Sequence, residues 1–269
     1  MQTLLDLYRF RFILQNLVSK NLKVQYRNMA LGFLWSVVNP LVLVTVLTTV
    51  WVVIFKQEFS VAASILVTLV PYNLFVVCLS GCTGAIRENV NLVKKVAFPR
   101  QILPVSVVLT HVIQFPLPFA LVVLGLLVIP KNHPTLTGNL VWLGPIFVLQ
   151  IGLSFGVGFL VSALQTKYRD MQYIVESVLV VLFWTSPILY DASLELGNQI
   201  AAGELPEWVW WAYHANPVSG LLDSYRNILF YGRPPDWTVL AMTLVGTLII
   251  GAVGVRAFWV HEKEFADLI

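Results

Sequence analysis

Side chains that could do chemistry are sparse in this sequence, and their spacing argues against catalysis. Cys78 and Cys82 stand one helical turn apart inside an apolar stretch. Two thiols with no neighbouring histidine or carboxylate read as small buried hydrophobes rather than as metal ligands. His111, His133, His214 and His261 are scattered, and none has a carboxylate at helical spacing within an apolar stretch. No G-x-x-x-x-G-K-[ST] phosphate cradle, H-E-x-x-H zinc helix or G-x-S-x-G nucleophile turn occurs. The expectation is a chain with no catalytic residue, no metal and no cofactor of its own. Glu176 is the exceptional ionisable group inside an apolar stretch, close enough to Lys167 and Arg169 to pair with one of them. A proton-coupled transporter would carry several such groups. Work done across a membrane would therefore draw its energy from outside the apolar stretches.

Three sets of residues remain. The first is polar: Glu88, Asn89, Asn91, Leu92, Lys94 and Lys95 lie in a short segment between two long apolar runs. It reads as a positively charged loop held on one side of a membrane, or as a handle through which a partner moves the runs beside it. The second set is basic: Arg9, Arg11, Lys23 and Arg27, with Lys20 among them. These suit an anionic lipid-phosphate headgroup, and equally the attraction of any cytoplasmic leaflet. The third set is aromatic: Trp35, Tyr72, Phe75, Phe183, Trp184 and Tyr190. Flat rings stack on the apolar faces of sugars and leave hydroxyls to water, so these residues are candidates for a polysaccharide pathway. Helix packing and interface anchoring use the same residue types. The group around Pro187 is the strongest, because Pro187, like Pro40, removes a helical hydrogen bond and permits a kink.

The elements that must position these residues follow from composition. The chain has 269 residues, 58% hydrophobic and 12% charged, with mean hydropathy +0.78. A soluble domain carries about 25% charged residues, and a chain this short has no core large enough to hide the excess. It reads as an all-α integral membrane protein, since the apolar stretches do not alternate as barrel strands do. The net charge of +3 reflects basic residues gathered on one membrane face rather than affinity for nucleic acid. Gaps between charges give six stretches near the roughly 20 residues needed to cross a bilayer: 28–55, 59–86, 101–130, 140–166, 171–190 and 237–255. Before them, Leu4 to Tyr26 mixes apolar and basic residues at steps of three and four, the pattern of an amphipathic interfacial helix. No cleavable signal peptide is evident in the first thirty residues. Between spans five and six, the uncharged run 208–222 is short for a span and holds Asn216-Pro217 and Gly220. It reads as an extracytoplasmic re-entrant helical hairpin, or as a surface loop with aromatic anchors. Six spans put thirteen of the seventeen basic residues on the side of both termini, which the positive-inside rule makes the cytoplasm. The Gly152–Gly156 pair is expected to pack helices within one subunit rather than between two.

Five patterns occur in order along the chain. They are Asn21 to Arg27 followed by Leu31-Gly32-Phe33-Leu34-Trp35 and Asn39-Pro40-Leu41; Glu88 to Arg100; Tyr168-Arg169-Asp170; Phe183 to Tyr190; and Asn216-Pro217 with Tyr225-Arg226, Phe230-Tyr231-Gly232 and Phe265-Ala266-Asp267. Together they resemble the permease subunit of ABC-2 type polysaccharide exporters, which move O-antigen, capsule or teichoic acid chains on lipid carriers. The resemblance implies a homodimer in the bacterial inner membrane, paired with two copies of a separate ATPase subunit that binds ATP and Mg. It implies that the 86–100 segment is the coupling helix and that the substrate is a lipid-linked polysaccharide. The domain plan is then an interfacial helix over 1–29, a six-span transmembrane domain over 30–260 with the hairpin at 191–236, and a cytoplasmic tail over 261–269. An ABC-2 exporter of a small drug or lipid is the alternative. A passive channel or a membrane enzyme would need a polar ring or intramembrane catalytic residues, and neither is visible.

Overall fold

The computed structural model describes residues 9–25, 35–96, 98–128, 137–262 and 265, with nothing stated of the side chains at 35–37, 39 and 40. Among the described residues every regular element is helical. The helices are α1 (Arg11–Gln25), α2 (Trp35–Thr48, continued by a π-helical Thr49–Ile54), α3 (Phe59–Gly84), α4 (Val90–Lys95, after a 3-10 turn Arg87–Asn89), α5 (Ile102–Gln114) and α6 (Pro116–Val128). Then come α7 (Leu143–Lys167, after a 3-10 turn Gly138–Trp142), α8 (Met171–Thr185), α9 (Ala192–Ala201), α10 (Trp208–His214), α11 (Pro217–Leu229) and α12 (Trp237–His261).

Among the described residues four helical runs are long and apolar enough to cross a membrane: Phe59–Gly84, Ile102–Leu127, Gly138–Lys167 and Trp237–His261. The second joins α5 to α6 across Pro116, where the amide of Phe119 still reaches the Phe115 carbonyl at 3.1 Å. The first and fifth of the six charge gaps yield shorter apolar helices, Leu41–Ile54 and Met171–Thr185. The first stops at Lys56, whose φ of 53° turns the chain out of the helix. The fifth stops at Thr185, two residues before Pro187, since the residue preceding a proline is steered out of the helical region.

α3 is the central element. Its apolar stretch is 72% buried, against 22% for the α5–α6 run and 22% for α12. Pro71 lies inside it, and the Pro71 carbonyl accepts the Gln150 amide of α7 at 2.7 Å. Gln150 Oε1 in turn accepts the Tyr225 hydroxyl of α11 at 2.7 Å. Three helices are thus joined through polar groups that would otherwise be orphaned in an apolar interior.

α7 and α12 meet on glycine. A Cβ at Gly156 would lie 2.8 Å from the Gly251 Cα, and one at Gly254 would collide with the Gly156 carbonyl. Gly156 therefore packs helices within the chain, as expected from its G-x-x-x-G spacing.

Two cores result. The larger gathers α3, α7, α11 and the buried sides of α6 and α8. The smaller joins Leu17 of α1, Val93 of α4, Ile102 and Leu103 of α5, Phe159 of α7, and Phe258 and Phe265 at the end of the chain. α1 runs alongside α5 in the same direction: Asn21 Nδ2 donates to Thr110 Oγ1 at 3.5 Å and Gln114 Nε2 to Gln25 Oε1 at 2.8 Å, both pairs 89 residues apart. Leu17 and Val18 are thereby buried against protein, while Phe12 and Val24 stay exposed.

Candidate functional site

At the α4 end of the molecule, the coupling candidates divide by exposure. Val93 is buried in the smaller core, and Leu92 packs against it. Asn91, Lys94 and Lys95 face outward on one short helix. Asn89 is already committed: its Nδ2 donates to the Ala85 carbonyl at 2.9 Å and its Oδ1 accepts Lys20 Nζ of α1 at 2.7 Å. Glu88 folds back over Gly84, where a Cβ would strike its carboxylate. It lines an open polar pocket of about 280 Å³ with Thr83, Arg87, Gln165 and Gln172. Arg100 clasps the last helix, its amide donating to Glu262 Oε1 at 3.1 Å and its guanidinium to the Glu262 carbonyl.

Of the basic candidates, Arg9, Arg11 and Lys23 lie at exposed positions in or just before α1, and Arg27 is outside the described residues. Lys23 lines a surface groove of about 360 Å³ with Asn16, Ser19, Lys20 and Val24.

The aromatic candidates separate into two kinds. Tyr72 and Phe75 are buried in the larger core, with the Tyr72 hydroxyl donating to the Leu179 carbonyl and its ring edge-on to Phe183 at 5.8 Å. Phe183 is half-buried. Trp184 and Tyr190 are 64% and 41% exposed, and the Tyr190 hydroxyl donates to the Trp184 carbonyl at 3.1 Å. The side chain of Trp35 is outside the described residues. The outer face of α8 also carries Tyr173, Glu176 and Ser177, all exposed, with Gln172 Nε2 bonded to Glu176 Oε1 at 3.1 Å.

Beyond α8 the chain builds a polar knot. Asp191 caps α9 by accepting the Leu194 amide at 3.1 Å, and Asn216 caps α11 by accepting Val218 N at 3.0 Å with Pro217 at the first helical position. Three charged or titratable side chains, His214, Asp223 and Arg226, are buried here. Asp223 Oδ2 accepts the Ser193 hydroxyl at 2.9 Å and meets His214 Nε2 at 3.1 Å. Asp223 Oδ1 lies 3.8 Å from Arg226 Nη1. Arg226 Nε donates to Ser64 Oγ at 3.0 Å and Nη2 to the Ile188 carbonyl at 3.1 Å, which Thr68 of α3 also engages at 3.2 Å. Tyr231 donates to Asp191 at 2.6 Å, and burial pushes its phenol up to about 12, so it stays a donor. The knot fastens α9, α10 and α11 to α3 and to the 186–191 segment.

A family profile described as ABC-2 type transporter matches residues 14–230. The chain belongs to the ABC-2 type transporter family. Its ABC-2 match begins within α1 and ends just past α11, so it takes in the α4 surface, the outer face of α8 and the knot. The chain is also 30% identical over 267 residues, 98% of each chain, to the O-antigen export system permease protein RfbA of Myxococcus xanthus. It is 26% identical over 257 residues, 94% of this chain, to a protein of the same name from Klebsiella pneumoniae, whose own length is 93% covered. As an ABC-2 membrane protein, the chain holds no group of three or more His, Cys, Asp or Glu side chains able to bind a metal among its described residues.

The knot was missed by sequence reasoning because its partners are not at helical spacing. His214 and Asp223 are nine residues apart, brought together by the break at Asn216-Pro217. The available signal was a Lys- and Glu-free stretch holding an Asp, an Arg and a His around that break.

Proposed function

We propose that this chain is the membrane subunit of an ATP-driven exporter that moves a lipid-linked polysaccharide of the O-antigen type out of the cytoplasm. It works as a homodimer with two copies of a separate ATPase subunit, in the bacterial inner membrane with both termini cytoplasmic. The observation that carries this reading is the end-to-end likeness to O-antigen export permeases. Six crossings complete it, with α2 and α8 as the shorter two and α9–α11 as a re-entrant hairpin on the outer side. At 1.5 Å per residue the fifteen residues of α8 span about 22 Å, and residues 186–190 carry the chain the rest of the way.

In this reading Asn91, Lys94 and Lys95 meet the ATPase, and Glu88, Asn89 and Leu92 hold that surface to α3, α1 and the smaller core. Lys23 and Arg27, with Arg9 and Arg11, receive the phosphate of the lipid carrier. Trp184 and Tyr190, with Tyr173, form the wall along which the polymer passes, while Tyr72, Phe75 and Phe183 back it from inside; Trp35, whose side chain is outside the described residues, completes the set of pathway candidates. Removing the chain from its own host should leave lipid-linked polymer inside the cell, and returning it with its ATPase subunit should restore surface polymer. Normal surface polymer in the deletion strain would sink the proposal, and accumulation of a drug or free lipid instead would favour the smaller-substrate exporter.

A further inference from the structure

We propose that the α9–α11 hairpin holds a buried proton between His214 Nε2 and Asp223 Oδ2, and that this proton latches α9 and α10 to α11. The assignment follows from donors and acceptors. His214 Nδ1 lies 2.9 Å from the Trp210 carbonyl, which can only accept, so Nδ1 carries hydrogen. Nε2 lies 3.1 Å from Asp223 Oδ2, which already accepts the Ser193 hydroxyl. That second contact is a hydrogen bond only when one more proton sits between the two atoms. Arg226 Nη1 stands 3.8 Å from the other carboxylate oxygen, so the carboxylate lies between the guanidinium and the ring and Nε2 is the donor of the pair. His214 is fully buried and Asp223 nearly so, which leaves water no place to substitute for the bond.

The three side chains are not a nucleophilic relay. In a relay the imidazole stands between hydroxyl and carboxylate. Here one carboxylate oxygen takes both the hydroxyl and Nε2, and the other ring nitrogen is held by Trp210. The arrangement binds a proton and does not pass one on.

One other group reaches Nε2, the Ser193 hydroxyl at 3.5 Å, and its single hydrogen goes to Asp223 Oδ2 at 2.9 Å. From α11 the charged groups are Asp223 and Arg226. From α10 itself comes Tyr213, whose hydroxyl is turned to Tyr190 at 3.4 Å. From the start of α9 comes Asp191, held by Tyr231. Asp236, at the start of α12, is spent on the amides of Thr238 and Val239. Loss of the proton would set a lone pair against a carboxylate oxygen at 3.1 Å, and the pair must part. α10 would carry Trp210 with it, since that ring lies on His214 at 4.3 Å.

The geometry of the latch stands by itself; its bearing on export rests on the proposed function. The test uses the chain assembled with its ATPase subunit in lipid nanodiscs. Histidine-selective 15N labelling reads which ring nitrogens carry hydrogen, with His214→Gln identifying the resonance. In the wild type both nitrogens of His214 should carry hydrogen. Asp223→Asn should show a ring with one hydrogen, together with a several-fold gain in hydrogen exchange over residues 192–214. A wild-type ring with one hydrogen, or the same exchange in Asp223→Asn as in the wild type, overturns the latch; the wild-type spectrum decides even if a variant fails to assemble. A complex that exports polymer without these signatures loses the latch alone, and one that shows them without exporting polymer loses the proposed function alone.

Discussion

A single aromatic side chain is worth different things on the two sides of α8. Tyr72 is 4% exposed and its hydroxyl ties α3 to the Leu179 carbonyl, so Tyr72→Ala opens a cavity and removes that tie. Such truncations cost about 3–5 kcal/mol, and the yield of folded protein should fall before transport is measured. Trp184 and Tyr190 fill no core, so replacing both with Ala should lower polymer export several-fold while subunit yield and basal ATP turnover hold. Measuring yield, turnover and export in one preparation separates the outcomes, and loss of yield in the double variant would assign those rings to packing. Lys94 and Lys95 give a second contrast with a neighbour. Both are exposed while Val93 between α4 and the small core is buried. Lys94→Glu with Lys95→Glu should therefore uncouple ATP hydrolysis from export without loss of protein, whereas Val93→Asp should cost the protein itself; unchanged coupling in the charge-reversed chain would remove the lysines from the ATPase surface.

At the scale of elements, the glycine contact between α7 and α12 sets how closely two long helices approach. Gly156→Ala or Gly254→Ala forces them apart, an overpacking that costs about 1–3 kcal/mol, so the thermal midpoint in detergent should drop. Gly125→Ala, at an open position on α6, should leave it unchanged. The long helices were legible in the sequence because a charge is too costly to leave inside an apolar stretch, and the gaps between charges therefore mark where α3, α5–α6, α7 and α12 run. Which side of each helix faces protein was not legible. A run such as Val67 to Leu79 is apolar but for Thr68 and Asn73, too few polar positions for its periodicity to separate buried Tyr72 and Phe75 from a lining position. The His214–Asp223–Arg226 knot was illegible for another reason: burying charge is decided by a tertiary contact across the Pro217 break, and no local pattern encodes that. The docking of α1 along α5 also escaped the sequence, since the amphipathic pattern fits a lipid surface and the flank of α5 equally well.

For the whole molecule, the proposed six crossings make a simple labelling pattern. With Cys78 and Cys82 both buried, a membrane-impermeant thiol reagent added outside should reach Leu194→Cys, at a position 51% exposed, and miss Asn91→Cys in intact cells; the reverse would overturn the arrangement. The pairing of α1 with α5 adds a consequence in time. The two elements lie 89 residues apart at both of their polar contacts. At roughly 5–20 residues per second of synthesis, α1 leaves the ribosome some 4–18 s before the surface that will cover it. During that interval Leu14, Leu17 and Val18 have no α5 to lie against. Under the proposed function, attraction of Lys20 and Lys23 to anionic lipid would hold the segment at the rim of the bilayer, short of full insertion. The mixed composition of α1 would then serve assembly as much as the finished fold, resting the segment on lipid first and on its own protein afterwards.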